Sequence, residues 1–314
     1  SIVRFRQGMA SGVVESRLTV RNMIGQLDAL LAQPPEQSPF FAPTLHFPAS
    51  IPEARRALWQ KAYARTIGER INPAYARLRQ FLADEYLPAA REEPGISAMK
   101  GGSALYRRLI ERETTLALDP EEVHRLGQTE VARIQREMDA VRRAMGFTGT
   151  LREFFEHIRT DPQFHPQTRQ DLEHGFAAIG HAVDAQVPRF FIGVPKTPLL
   201  IQPYPAYRER YEAGGSYNQG APDGSRPGVF YFNAYDLPSR YLTGMTTLYL
   251  HEAIPGHHFQ ISLAQEDERL PAFQRFGGNN AFVEGWALYA ETLGFEMGLY
   301  KNPRQHWGTL DDEM

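Results

Sequence analysis

Three of the ten histidines in this chain of 314 residues fall within eight positions: His251, Glu252, Ala253, Ile254, Pro255, Gly256, His257, His258. Two imidazoles one helical turn apart, with a Glu directly after the first, are the pattern that pairs a zinc ion with a general base. Here the position one turn on from His251 is Pro255, so the strict i, i+4 spacing is broken and His257 stands at i+6. Pro255 has no N–H to return to the carbonyl of His251, and Gly256 accepts backbone angles that other residues resist. A bulge or kink at this pair would swing His257 back toward His251. His258, at i+7, is nearly in phase with His251 on an unbroken helix but lies two turns, ~10.5 Å, along it. Spacing alone leaves both histidines open, and the Pro-Gly pair favours His257.

A catalytic zinc site built from nitrogen and oxygen donors takes a third protein ligand and leaves the fourth position to water. The candidate is Glu284, 27 residues after His257, set in a helical pattern with Phe282, Val283, Trp286, Ala287 and Ala290. An ionised carboxylate on such an apolar stripe needs a partner or a metal. Its loss is expected to cost both metal and stability. Glu291, seven residues on, reads as readily as a partly exposed helix acid as it does a support for a ligand, and is not counted as catalytic. Glu252 is the expected general base, because its place beside His251 points it at the water that such a metal activates.

The string from His251 to Gln260, followed by Glu284, Gly285, Trp286, Ala287, Leu288, Tyr289, Ala290 and Glu291, resembles a large bacterial family of zincin-like proteins. That family, long catalogued as a domain of unknown function, is placed with the gluzincin-type metallopeptidases. The likeness extends over most of the chain, with residues 226–233 similar to the family's strand before the metal helix and 119–127 to its long upstream helix. The resemblance implies a zincin-like fold, one Zn²⁺, peptidase-like chemistry and a peptide substrate. It also implies a periplasmic or extracellular location, since many members are exported. Members run longer at both ends, so this chain is expected to be a fragment. In zincins an edge strand beside the metal pairs with extended substrate. Residues 229–233 are either that edge or a plain core strand. Tyr204, Tyr207, Tyr211 and Tyr217 are candidates for a phenol that stabilises the tetrahedral intermediate, with no spacing to single one out. His46, His124, His157, His165, His174, His181 and His306 are most simply structural or solvated.

Elements must position these groups. Residues 1–188 read as a helical scaffold. A run opening at Ile51 carries Leu58, Trp59, Ala62, Tyr63 and later Leu78, Phe81 and Leu82. Asp119, Pro120, Glu121 and Glu122 form a cap, a first-turn proline and first-turn acids. Behind them Val131, Ile134, Met138, Val141 and Met145 step by three and four up to a stop at Gly146. Thr150 and Glu153 form a capping box ahead of Phe154, Phe155 and Ile158. Leu172, Phe176, Ile179, Val183 and Val187 mark another helix, ended by Pro188. Residues 189–314 carry the metal motifs, with Pro- and Gly-rich turns at Gly214-Gly215 and Asp223-Gly224 and β-like runs at 190–192, 199–201 and 229–233. Pro238 and Ser239 introduce the helix that runs into His251. The change of texture near 188 is read as two layers of one unit.

Composition removes other classes. The chain has no cysteine, which excludes disulfides, thiolate zinc sites, iron–sulfur clusters and a cysteine nucleophile. Thirty-four basic residues against 37 acidic ones leave no nucleic-acid footprint, and no apolar run approaches the ~20 residues that span a bilayer. The expected fold is mainly α with a small β-sheet (α+β). The expected function is a zinc-dependent hydrolase of peptide bonds, with zinc on His251, His257 and Glu284 and Glu252 as base. Two alternatives remain: a zinc hydrolase of a non-peptide amide or ester, and a non-catalytic helical binding protein with a structural or vestigial metal site.

Overall fold

The computed structural model describes residues 2–206 and 208–314, so Tyr207 of the four candidate phenols lies outside the described residues. The chain divides into two compact units, Ser1–Leu109 and Ile110–Met314. The change of texture at 188 falls inside the second unit.

The first unit is helical. Its core gathers Val20 and Leu27 of the helix Arg17–Leu31 with Phe81, Leu82 and Tyr86. The run opening at Ile51 does form a helix, Glu53–Thr66, but none of its residues is buried. Leu58, Trp59 and Tyr63 are exposed, so their spacing marked the helix and not a core face.

In the second unit the local signals work as physics dictates. Helix α1 (Pro120–Ala144) starts where the Asp119 carboxylate accepts the Glu121 N–H at 2.8 Å. It buries Ile134, Met138 and Val141, and ends as Gly146 takes a left-handed φ of 78°. Helix α2 (Leu151–Thr160) begins with the Thr150–Glu153 capping box, both bonds of which are formed. Phe154 and Ile158 of α2 join the α1 face and Trp307 in one cluster. Helix α3 (Arg169–Asp184) stops before Val187. Pro188 sits in the first turn of a separate short helix, Val187–Phe190, where its missing N–H costs nothing. That helix takes up the start of 190–192, so no strand forms there.

Three strands follow: β1 (Leu199–Pro203), β2 (Gly215–Asn218) and β3 (Gly228–Phe232). The sheet order is β1-β3-β2, with β3 parallel to β1 and antiparallel to β2. The strand read at 229–233 is therefore the central one and not an edge. Its alternate residues Phe230 and Phe232 are buried against Phe176 of α3, with ring centroids 5.1 and 5.0 Å away. The edge toward the motif helices is β2, a strand that the Gly214-Gly215 turn signal conceals.

Helices α4 (Met245–Glu252), α5 (His257–Glu266), α6 (Ala272–Phe276), α7 (Asn280–Glu296) and α8 (Pro303–Glu313) complete the unit. Helix α4 packs closely on α7. A Cβ at Gly294 of α7 would stand 2.7 Å from Leu250 Cδ1 and 2.5 Å from Tyr300 Cε2, so any larger residue would have to displace one of these side chains. The larger core cluster gathers Phe176, Phe230, Phe232, Tyr249, Leu250, Phe259 and Leu293, of which Leu250 directly precedes His251 and Phe259 directly follows His258. The fold is thus mainly helical with a three-stranded sheet. No helix of the described residues is long and apolar enough to cross a membrane.

Candidate metal centre

Pro255 and Gly256 do more than bulge the helix: they separate it into two. Helix α4 ends at Glu252, residues 253–256 are non-helical, and α5 restarts at His257. The turn is so tight that a Cβ on Gly256 would come within 1.9 Å of the His251 carbonyl oxygen. This reorientation brings the last turn of α4 and the first turn of α5 to one point. The imidazoles of His251 and His257 stand with centroids 4.7 Å apart and planes at 88°.

Glu284 of α7 closes the group. Its Oε2 lies 3.4 Å from His251 Nε2 and 3.5 Å from His257 Nε2, and all three donor atoms lie within 4.8 Å of one another. Two donors held ~2.1 Å from one ion at the tetrahedral angle stand ~3.4 Å apart. The spacing and the two-nitrogen, one-oxygen donor set therefore fit zinc. All three sequence-predicted ligands are brought together, and His257 is the histidine placed there.

His258 faces elsewhere. It is buried, with the Tyr217 hydroxyl 3.1 Å from its Nδ1 and Ser262 Oγ 3.4 Å away, and it also hydrogen-bonds the backbone at Thr197. It ties α5 to β2 and to the segment before β1. Tyr217 is thereby committed to His258. Tyr204 donates to Ser216 Oγ at 2.6 Å, and Tyr211 is half exposed. None of the three described phenols is shown beside the ligand triad.

The two acids of α7 keep the places that the sequence suggests at the site but reverse the expected burial. Glu284 is exposed, while Glu291 is buried. Small residues decide this: Ala287, Ala290 and Gly294 form the face that α7 turns inward, and Glu291 lies on it. Glu291 Oε1 is 2.7 Å from His251 Nδ1. A carboxylate there accepts a hydrogen bond from Nδ1–H, which in the neutral ring leaves the lone pair on Nε2, the atom nearest Glu284. Trp286 pins the helix break by donating its indole N–H to the Pro255 carbonyl at 2.8 Å.

The electrostatics follow burial. Burial, then the neighbouring His251, holds His257 down at about 4, so its ring is neutral. For His251 burial works downward, but the hydrogen bond to Glu291 and the nearby carboxylates outweigh it and raise the pKa. Burial pushes Glu252 up to about 7 against the pull of His251, and its carboxylate also accepts the backbone N–H of Tyr217. Glu252 thus faces β2 beside the triad. A cleft of about 420 Å³ opens there, lined by Gly214, Gly215, His251, Glu252, Glu291 and Asp312 among others.

A family model described as "Bacterial protein of unknown function (DUF885)" matches residues 1–314. The chain belongs to that family. A solved structure described as that of the "putative lipoprotein from Colwellia psychrerythraea" is similar to this DUF885 chain, with a TM-score of 0.93 and 29% sequence identity. The match covers 99% of this chain and 55% of that one, so the chain spans about half the length of that protein. No curated protein matches it.

Proposed function

We propose that this DUF885 chain carries the metal-binding core of a zinc-dependent peptidase with a zincin-like fold. The observation that carries this reading is the convergence of His251, His257 and Glu284 beside the buried Glu252. The two Nε2 atoms and Glu284 Oε2 would hold the ion. When bound, zinc supplies Lewis acidity, which polarises a carbonyl and lowers the pKa of water.

The chain's own groups supply the rest. Glu252 acts as general base, a buried carboxylate beside His251 placed to take a proton and return it. Glu291 orients His251. The edge of β2 offers a place for extended substrate. The Asn233 backbone N–H donates to Gly214 O at 2.8 Å, which makes Ser216 and Asn218 the residues paired to β3 and turns the peptide groups of Gly215 and Tyr217 outward. The Tyr217 N–H is taken by Glu252, which leaves the Gly215 peptide groups for substrate. Gly215 lines the cleft together with His251 and Glu252, so an extended peptide added there would pass beside that ligand and the base. The similar structure's description as a lipoprotein fits an exported parent protein.

The test is a digest of a peptide library by zinc-loaded wild type and Glu252→Gln. The variant is expected to keep its zinc and lose at least ~10²-fold in turnover, the scale for a positioned general base. Undiminished turnover at normal zinc content would remove Glu252 from this role. Cleavage confined to acyl-amides or esters would redirect the chemistry to non-peptide substrates.

A further inference from the structure

A second and larger cavity, about 820 Å³, lies between α5, α6 and the start of α7. Its walls include Ile261, Ala264, Leu270, Phe273, Phe276 and Val283. Phe273 and Phe276 are 73% and 55% exposed, and neighbouring Phe282 is 66% exposed. They join none of the three core clusters. Arg275 is the one charged residue of the wall, and it is engaged: its Nε and Nη2 donate to the Gln265 carbonyl at 3.0 and 2.7 Å. The cavity offers apolar area and no free charge, which is the chemistry of a pocket for a neutral hydrophobic group.

Its position ties it to the candidate site. Ile261 stands one helical turn beyond His257 on the same face of α5, and Val283 directly precedes Glu284. Gln219, the residue after β2, lines this cavity and also the shallow one that holds Tyr217, Asn218 and Ile261. From Gly215 to Gln219 is four residues, ~13 Å of extended chain. The line of β2 therefore leads from the cleft that Gly215 shares with Glu252 toward this cavity at Gln219, past the Tyr217 N–H that Glu252 holds. The opposite end of the same edge is different in kind, since Glu291, Asp311 and Asp312 line the cleft there.

We infer that the cavity is a specificity pocket that takes a bulky neutral side chain, aromatic or branched aliphatic, on one side of the bond to be cleaved. This rests on the peptidase reading and names the substrate class it would prefer. An extended backbone edge supplies no side-chain discrimination of its own, so a pocket at its end is what would set preference.

The test is isothermal titration of blocked tripeptides, Ala-Xaa-Ala with Xaa as Phe, Gly or Asp, into the chain with and without added zinc. The Phe peptide is expected to bind at least tenfold tighter than the other two. Ala264→Trp, which fills the cavity from α5, is expected to abolish that difference while zinc stoichiometry stays at one. Phe273→Ser changes an exposed position with no demand on folding, and is expected to reduce the preference several-fold. Equal affinities for the three peptides in the wild type, or an undiminished preference in both variants, would overturn the pocket. Sedimentation showing a dimer that Phe273→Ser dissolves would assign the face to a second copy and equally overturn it. A Phe preference lost in the variants, with no hydrolysis of any peptide, would keep the pocket and retire the peptidase reading. Hydrolysis indifferent to Xaa would do the reverse.

Discussion

Helices α1 and α2 and helices α4, α5 and α7 lie in the same unit yet bury different chemistry. The first pair buries Ile134, Met138, Val141, Phe154 and Ile158, and its one buried charge, Arg142, bonds Asp139 and the carbonyls of Phe147 and Gly149 just past the end of α1. The second group buries Glu252, His257, His258, Ser262, Gln265 and Glu291. Removing polar groups from water costs free energy unless each finds a partner. Where a fold accepts that cost repeatedly within one small volume, the volume is organised for something other than packing. The α1–α2 cluster holds the scaffold, and the α4–α5–α7 cluster holds a constellation in place.

Substitutions should separate the two regions cleanly. Glu284→Ala is expected to abolish stoichiometric zinc binding in equilibrium dialysis, while the metal-free chain unfolds within ~0.5 kcal/mol of wild type, the range for an exposed residue. This departs from the stability loss that an apolar-stripe position implied, because the carboxylate faces solvent. Phe154→Ala should do the opposite. Denaturant unfolding should show a loss of ~3–5 kcal/mol, with zinc stoichiometry unchanged.

The pH dependence of the metal-free chain sharpens the contrast. Burial holds His258 down at about 4 in the folded chain, against ~6.5 when unfolded. Between those values the unfolded chain binds a proton at this site that the folded chain does not, so the His258 contribution to stability rises with pH from about 4 to about 6.5 and is lost as pH falls. His257 acts in the same direction, and the carboxyls of Glu252 and Asp312, pushed up to about 7 and about 8, oppose both. His258→Asn should lower the slope of stability against pH by one proton, roughly 3 kcal/mol across the window. A slope unchanged in the variant would contradict the buried, neutral His258. The smallest effect belongs to the α1–α2 side: Thr150→Ala, which removes one half of the capping box, should cost ~1 kcal/mol in the same unfolding assay and leave zinc untouched.

The sequence was most legible where local chemistry decides the outcome. The Asp119 cap, the Thr150–Glu153 box and the Gly146 stop need only their own neighbours. The convergence of His257 on His251 was readable for the same reason, since Pro255 and Gly256 break the helix whatever surrounds them. Burial was far less legible. Helix Glu53–Thr66 carries Leu58, Trp59 and Tyr63 without burying them. On α7 the inward face is chosen by small residues that let α4 approach, which exposes Glu284 and buries Glu291. Strand β2 escaped because four residues, Gly215, Ser216, Tyr217 and Asn218, form it by pairing with β3, and nothing in their own sequence requires a strand. Its outward edge is the part of the candidate site that tertiary structure alone supplies.

The central claim is that the break at Pro255-Gly256 places His257, and not His258, at a zinc site with His251 and Glu284. Elemental analysis of purified wild type, His257→Ala and His258→Ala after equilibration with zinc tests it most directly. One zinc per chain is expected in the wild type and in His258→Ala, and none in His257→Ala. Zinc retained in His257→Ala and lost in His258→Ala would contradict the ligand assignment, and no zinc in the wild type would contradict the centre itself.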